Sequence, residues 1–398
     1  MNPKEFTSTK AGRVIKVHPA VGAGRRSVEG AYWSFVPNPL PPELQWTPQL
    51  VNAVSEADRA LGELAGVGRS LANPHLLMRP FLHREAVLSS RIEGTQAGLA
   101  DVFAYEGGQL PLFAPAQDVL EVYNYVRALE YGLERLKSLP LSLRFVCELH
   151  KVLMEGVRGE RLTPGEFRRS QNWIGPPGSQ LMDAAYLPPP VEEMNRALAD
   201  LEMYLHRESD IPPVVRIGLI HYQFEAIHPF LDGNGRVGRL LISILLCAWG
   251  LLPAPLLYLS AYFESTRENY YNLLLKVSQR GDWDAWLRYF AKGVAEQSRD
   301  AAARARWLSD LRESYRQEIQ TERSSARLLR LVDVLFERPV LTVTQVSSEL
   351  DVDFGTASRY VKRLEERGVL REVSGRSRNR IYVADEVLRV VDAKVHTG

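Results

Sequence analysis

The chain has 398 residues, too many for one ordinary hydrophobic core, so two or three domains are expected. Its composition, 45% hydrophobic and 24% charged without a low-complexity tract, is that of a folded chain. A net charge of +1 excludes a whole-protein electrostatic attraction to nucleic acid or membrane and leaves only local patches.

The N-terminus, MNPKEFTSTKAGRVIKV, carries charges but no apolar run, so no signal peptide is expected. Residues 1–45 are rich in Gly and Pro, with one strand candidate at Arg13–His18, and read as an extended arm. Helical periodicity begins near Thr47. Asn52–Leu64 is amphipathic, and Leu76–Glu93 is a second helix stopped by Gly94, where a left-handed cap is wanted. Asp118–Lys137 and Leu141–Gly156 continue the pattern. Between Thr163 and Pro190 it breaks into Gly, Pro and β-friendly residues, as an exposed hairpin flap would. Val191–His206 and Val214–Ile227 resume as helices, and a Gly-rich loop precedes an apolar helix from Arg239. The apolar run Leu240–Leu252 is shorter than a bilayer span and reads as a buried helix. Cys147 and Cys247 lie in apolar helical patterns without metal or redox spacing. They read as buried free thiols in a reducing compartment, and the expected location is the cytoplasm.

Glu264–Arg280 and Asp282–Glu296 close the helical body, and the charged stretch 298–322 reads as a solvated helical connector. In the last part, 323–398, helices are expected at Ala326–Phe336, Thr342–Leu350 and Phe354–Arg367, then strands at Val369–Glu372 and Arg380–Ala384. This is the order of a winged helix-turn-helix. Thr356, Ser358, Arg359, Lys362 and Arg363 fall on its recognition helix, and Arg376, Arg378 and Arg380 on its wing. Asp351, Asp353, Glu365 and Glu366 dilute the charge, leaving DNA and protein as alternative partners.

The segment His228-Pro-Phe-Leu-Asp-Gly-Asn-Gly-Arg-Val-Gly-Arg239 concentrates chemistry. Gly233, Asn234 and Gly235 stand at a helix start, where free backbone N–H groups and the helix dipole favour anions. Arg236 and Arg239 are three apart on one face of the first turn and suit fork-like contacts with phosphate oxygens. Asp232 offers the hard oxygen that Mg²⁺ uses when it also bridges substrate phosphates. His228 is a base whose ordinary pKa of about 6.5 suits proton removal from a hydroxyl. His150 and His221, in apolar helical stretches, read as packing or hydrogen-bonding residues, and no zinc site is expected.

His228–Arg239 resembles the Fic (filamentation induced by cAMP) signature HxFx(D/E)GNGRxxR at every defined position. The resemblance runs from about Leu76 to Phe290 and implies a mainly α fold: a Fic-type helical domain with a β-hairpin flap, here followed by the winged helix-turn-helix. It implies a nucleotidyltransferase that moves AMP from Mg²⁺-bound ATP to a Ser, Thr or Tyr hydroxyl of a target protein, which can be the chain itself. His228 would be the base and Asp232 the metal ligand. Gly233, Asn234 and Gly235 would line the anion hole, Arg236 and Arg239 would grip the β- and γ-phosphates, and Phe230 would anchor the loop. Gly235, where related kinases of the family carry Lys, favours AMP transfer over phosphate transfer. Tyr270 and Tyr271 resemble an adenine-pocket pair, although Ser278 stands where some relatives have an adenine-binding Asn.

Ser89-Ser90-Arg91-Ile92-Glu93-Gly94 resembles the family's inhibitory motif (S/T)xxxE(G/N), in the N-terminal position of class II. Ser89 would steady Glu93, whose carboxylate would occupy Arg239 and turn ATP away from in-line attack. The expected division is an arm and inhibitory region at 1–115, a catalytic domain at 116–297, a connector at 298–322 and the winged helix at 323–398. Two rival functions share these residues: removal of AMP with Glu93 activating water, and a DNA-binding regulator that only senses nucleotide. A second copy of the chain is also a candidate partner, and a membrane is not.

Overall fold

The computed structural model describes residues 1–18, 31–70, 74–109, 113–175, 180–320 and 326–392. Strands β1 (Gly12–Val17) and β2 (Tyr32–Pro37) are followed by α1 (Pro48–Ser70), α2 (Pro74–Ile92), α3 (Leu99–Glu106), α4 (Ala116–Arg135) and α5 (Leu143–Leu153). Next come α6 (Val191–His206), α7 (Pro213–Ile227), α8 (Asn234–Ala248), α9 (Ser260–Ser265), α10 (Arg267–Arg280) and α11 (Trp283–Gln320). The C-terminal run is α12 (Ala326–Glu337), β3 (Val340–Thr342), α13 (Val343–Leu350), α14 (Phe354–Glu366), β4 (Arg371–Glu372), β5 (Ile381–Val383) and α15 (Asp385–Asp392). The fold is mainly helical, and among the described residues no helix is long and apolar enough to cross a membrane.

Two compact units emerge. The first comprises Met1–Asp58, Glu130–Leu245 and Ser265–Ala295. Its centre is α7, buried on nearly every side because its sequence is apolar without a polar face. Gly218 lets α11 close in, since a Cβ there would stand 3.1 Å from Phe290, and Trp286 Nε1 donates to the Gly218 carbonyl at 3.0 Å. The N-terminal arm is not a lone extended strand. Tyr-Trp-Ser-Phe-Val-Pro pairs antiparallel with β1, from Gly12 opposite Pro37 to Val17 opposite Tyr32. Burial of Phe35 and Ser34 explains the missed strand: its value lies in tertiary packing. At the expected hairpin flap Ile174 and Tyr186 form an antiparallel bridge, and residues 176–179 of the flap lie outside the described residues.

The second unit comprises Arg59–Leu129, Leu246–Glu264 and Glu296–Gly398. The stretch expected as a solvated connector is instead the end of α11, with Ala301, Ala302, Arg304, Ala305, Leu308, Tyr315 and Ile319 buried. Small alanines among charged residues conceal this apolar face from a charge count. The C-terminal strands form an antiparallel sheet in the order β3-β5-β4. Thr342 and Gln345 make a capping box at α13, and Gln345 Nε2 also donates to the Gly107 carbonyl beyond α3 at 2.8 Å. Helix α12 packs along α2, while β3 and α15 pack on α3.

His221 ties the first unit together. Its Nδ1–H donates to the Gly238 carbonyl of α8 at 3.2 Å, and its Nε2 accepts from the Tyr270 hydroxyl of α10 at 2.8 Å. Complete burial, reinforced by the nearby Arg239 charge, pushes its pKa down to about 3. The folded chain therefore keeps this ring neutral where the unfolded chain takes up a proton. Its stabilising contribution is complete above about pH 6.5 and is lost as pH falls toward about 3, at roughly 1.4 kcal/mol per pH unit. Replacing His221 by Gln should flatten the fall in unfolding free energy between pH 6 and 4.5 by about that slope. Urea denaturation at each pH measures it, and an unchanged slope would contradict the assignment.

Candidate active site

Helix α7 ends at His228, whose φ of +50° and ψ of +62° place it in the left-handed region. That conformation is uncommon for a residue with a Cβ, and here a proline follows, before which extended backbone is the ordinary choice. The strain is held from several sides. The His228 N–H donates to the Phe224 carbonyl at 3.0 Å, and the His228 carbonyl accepts from Arg168 Nε at 3.0 Å and Asn172 Nδ2 at 3.1 Å. The His228 Nδ1 lies 3.3 Å from the Glu225 carbonyl. An Nδ1–H donated there leaves the Nε2 lone pair as a base.

Asn234 has a role that its place in the motif did not indicate. Its Oδ1 accepts from the Phe230 N–H at 2.8 Å and its Nδ2 donates to the Phe230 carbonyl at 2.8 Å. The amide thus brackets the buried loop backbone, and the anion-hole expectation for this residue is left to its main-chain N–H. Phe230 is fully buried and stacks on His150, with ring centroids 3.7 Å apart. His150 accepts from the Gly165 N–H through Nδ1 at 2.8 Å, so its Nε2–H donates to the Asp232 carbonyl at 3.1 Å. Burial pushes its pKa down to about 4, and it supports the loop as a neutral ring. Both histidines expected to pack or hydrogen-bond do so.

Asp232 Oδ1 accepts from the Gly233 N–H at 2.6 Å, and Arg236 Nη2 stands 3.9 Å away. Gly159, at φ +91°, admits the other oxygen, because a Cβ there would lie 2.7 Å from Asp232 Oδ2. The side chain is 44% exposed, and among the described residues no group of three His, Cys, Asp or Glu forms a cage. One accessible hard carboxylate fits Mg²⁺ of the kind that keeps waters and takes its remaining ligands from substrate phosphates. It does not fit a resident structural ion.

Helix α8 begins at Asn234 with no acidic residue in its first turn. The N–H groups of Asn234, Gly235 and Arg236 therefore open at the positive end of the helix dipole. Arg236 and Arg239 add two guanidiniums there, 4% and 1% exposed. Cations at that end oppose the dipole, an opposition that an anion placed there would relieve. Tyr270 is buried with its hydroxyl on His221, whereas Tyr271 is 39% exposed, their rings 5.1 Å apart. Only Tyr271 offers an accessible ring. Ser278 is also buried, sharing a hydrogen bond with the Tyr222 hydroxyl at 2.8 Å.

Ser89 and Glu93 belong to the second unit. Helix α2 tightens at its end, with Glu93 N–H on the Ser90 carbonyl and Gly94 N–H on the Arg91 carbonyl, both at 3.0 Å. Gly94 then turns at φ +102°. Ser89 is buried one turn before Glu93, which is exposed.

Three family profiles match the chain: Fic/DOC family N-terminal over 51–134, Fic/DOC family over 140–246, and the C-terminal domain of the SoFic-like protein adenylyltransferases over 311–387. The protein adenylyltransferase Fic of Drosophila grimshawi is 30% identical over 199 residues, 49% of this chain and 37% of that protein. That of Drosophila erecta is 29% identical over 197 residues, 49% and 35% respectively. The match thus spans little more than a third of these relatives. A Fic family protein of Desulfovibrio desulfuricans superposes with a TM-score of 0.58 at 23% identity, covering 87% of this chain and 98% of its own. Fic-1 of C. elegans superposes with a TM-score of 0.53 at 24% identity, covering 66% and 75%. Both share the fold.

The Asn234 bracket predicts a stability effect. Asn234→Ala strands the buried Phe230 N–H and removes one of two donors to its carbonyl, which should lower unfolding free energy by about 2 kcal/mol. Asn234→Asp keeps the acceptor and loses the donor, so it should fall between. Urea denaturation at pH 7 ranks the three proteins, and an Asn234→Ala protein as stable as wild type would refute the bracketing role.

Proposed function

The chain belongs to the Fic/DOC family, and from that premise we propose that it is a protein adenylyltransferase. It moves AMP from ATP to a Ser, Thr or Tyr hydroxyl of a target protein. The observation that carries this reading is the join of α7 and α8, where a base and an accessible carboxylate lead directly into a helix N-terminus bearing two buried arginines.

In this mechanism the N–H groups of Asn234, Gly235 and Arg236 receive the α- and β-phosphates. Arg236 and Arg239 hold the β- and γ-phosphates in fork geometry. His228 Nε2 takes the proton of the target hydroxyl as its oxygen attacks the α-phosphorus. The bond to the bridging oxygen breaks, and pyrophosphate leaves into the arginine-lined cradle. Asp232 would hold Mg²⁺, which when bound would supply charge neutralisation and orientation of the phosphates. Tyr271 offers an aromatic face for adenine. The flap presents Trp173, Ile174 and Met182 to solvent, a surface suited to an extended target segment.

Glu93 restrains transfer through the pairing with Arg239 that the inhibitory motif implies, with Ser89 steadying it. The two free thiols favour the cytoplasm. Residues 326–392 read as a winged helix-turn-helix, and a second reading gives them a duplex DNA partner. It is favoured by the exposure of Arg359, Lys362, Arg376, Arg378 and Arg380 along α14 and the turn before β5.

His228→Ala should abolish AMP transfer while ATP affinity stays within about threefold, because other groups hold the phosphates. Incorporation of α-labelled AMP, with nucleotide binding measured in parallel, tests it. Wild-type labelling by this variant would remove His228 as the base.

Glu93→Gly should raise labelling of the chain or its target by about tenfold or more, since it releases the γ-phosphate arginine and shifts bound ATP toward the reactive pose. Arg239→Ala should not mimic this gain, because it removes the phosphate contact along with the brake. A Glu93→Gly protein no more active than wild type would refute the brake. Loss of AMP removal from a modified target in that variant would favour the hydrolytic alternative.

A further inference from the structure

The segment between α5 and α6 contains a buried guanidinium that the reaction scheme leaves without a role. Arg168 is 1% exposed. Its Nε donates to the His228 carbonyl at 3.0 Å, Nη1 to the Ser170 carbonyl at 3.1 Å and Nη2 to the Pro189 carbonyl at 2.5 Å. Its own N–H donates to the Pro229 carbonyl at 2.9 Å. Asn172 reinforces the link, its Nδ2 donating to the carbonyls of His228 at 3.1 Å and Phe230 at 2.8 Å. Tyr186, across the flap bridge from Ile174, donates its hydroxyl to the Ala226 carbonyl at 2.8 Å. Both arms of the flap base are thus bonded to the backbone that carries the base.

We infer that Arg168, backed by Asn172, is a positioning residue: it sets the left-handed backbone of His228 and keeps the imidazole in register with the flap. The argument rests on three features together. The His228 conformation is strained for a residue with a Cβ ahead of proline, so it requires outside support. Two of its supports converge on one carbonyl, and the orientation of that peptide defines ψ of His228. The same guanidinium fork grips Ser170 and Pro189, on opposite arms of the flap base. A charged group buried this completely, whose pKa burial lowers to about 10, is costly unless its directional bonds compensate. Lysine carries the same charge but cannot reach three carbonyls in these directions.

The inference deepens the adenylyltransferase reading and rests on it for its catalytic consequence. The test uses the full chain in the Glu93→Gly background, so the brake does not mask the rate, and compares Arg168→Lys and Asn172→Ala with the parent. Arg168→Lys should lower kcat for AMP transfer about 100-fold, the cost of misplacing a reacting group by about 1 Å, while KM and Kd for ATP change less than about threefold. Asn172→Ala should act in the same direction by about tenfold. Hydrogen exchange read by mass spectrometry should quicken at least tenfold in peptides covering 224–232 and stay unchanged in peptides from α10. Parent-like kcat, parent-like exchange in 224–232, or loss of ATP affinity parallel to kcat would each overturn the inference. If the parent transfers no AMP at all, the adenylyltransferase reading fails. The exchange arm then decides the positioning role by itself.

Discussion

A chain that reverses direction between two buried helices must find partners for every polar group of the turn, because an unsatisfied buried N–H or C=O costs about as much as the bond it lacks. The join of α7 and α8 meets this demand with side chains. Asn234 takes both polar groups of Phe230, Asn172 shares the carbonyls of His228 and Phe230, and Arg168 adds a further donor. His150 receives a backbone N–H and returns its own to the Asp232 carbonyl. Since the inward groups are committed, what the loop presents outward is chemistry: the His228 ring, the Asp232 carboxylate and the opening N–H groups of α8.

Burial then sorts the charges. His150, stacked on Phe230, and His221, bonded to α8 and α10, have pKa values pushed down to about 4 and 3, so they add bonds without adding positive charge. Positive charge is left to Arg236 and Arg239, at the helix end where an anion gains most. A protonated His150 or His221 would have to give up a lone pair that now accepts a bond, from Gly165 or Tyr270.

The candidate loop is legible in the sequence because its residues are contiguous and each has a type suited to one task. The scaffold was not. Arg168 lies 60 residues from His228, among Arg161 and Arg169, and no periodicity marks which of the three turns inward. Asn234 was legible as a motif residue but not as a backbone bracket, since an amide can serve either need. Strand β2 escapes because its worth is decided by what covers Phe35, and the part of α11 within 298–320 reads as solvated because alanines supply much of its buried face. Helix type and approximate span were recovered from periodicity for most of the chain, as an amphipathic stripe is a local signal.

In the second unit, the helix that precedes Glu93 is bonded along its length to other elements. Arg84 of α2 donates to the Val391 carbonyl at the end of α15, and its guanidinium lies 4.6 Å over the Tyr258 ring. Arg304 of α11 also reaches Val391, at 3.2 Å, while forming a two-point pair with Asp300 at 2.8 and 3.1 Å. The Tyr258 hydroxyl closes the network on Asp300 at 2.6 Å. The carbonyl end of α15 is the negative end of its dipole, so two arginines there are electrostatically matched to it. Breaking such a buried, bonded pair by removing one partner costs about 3–5 kcal/mol, a large fraction of a domain's net stability. On the opposite side of its sequence, the adjoining Glu85 accepts from Tyr125 at 3.1 Å and from the Ser260 N–H at 3.0 Å. A displacement of α2 along its axis would therefore break buried polar bonds to three other elements at once. The helix that leads into the Ser89–Glu93 turn is thus bonded to residues as distant in sequence as Val391.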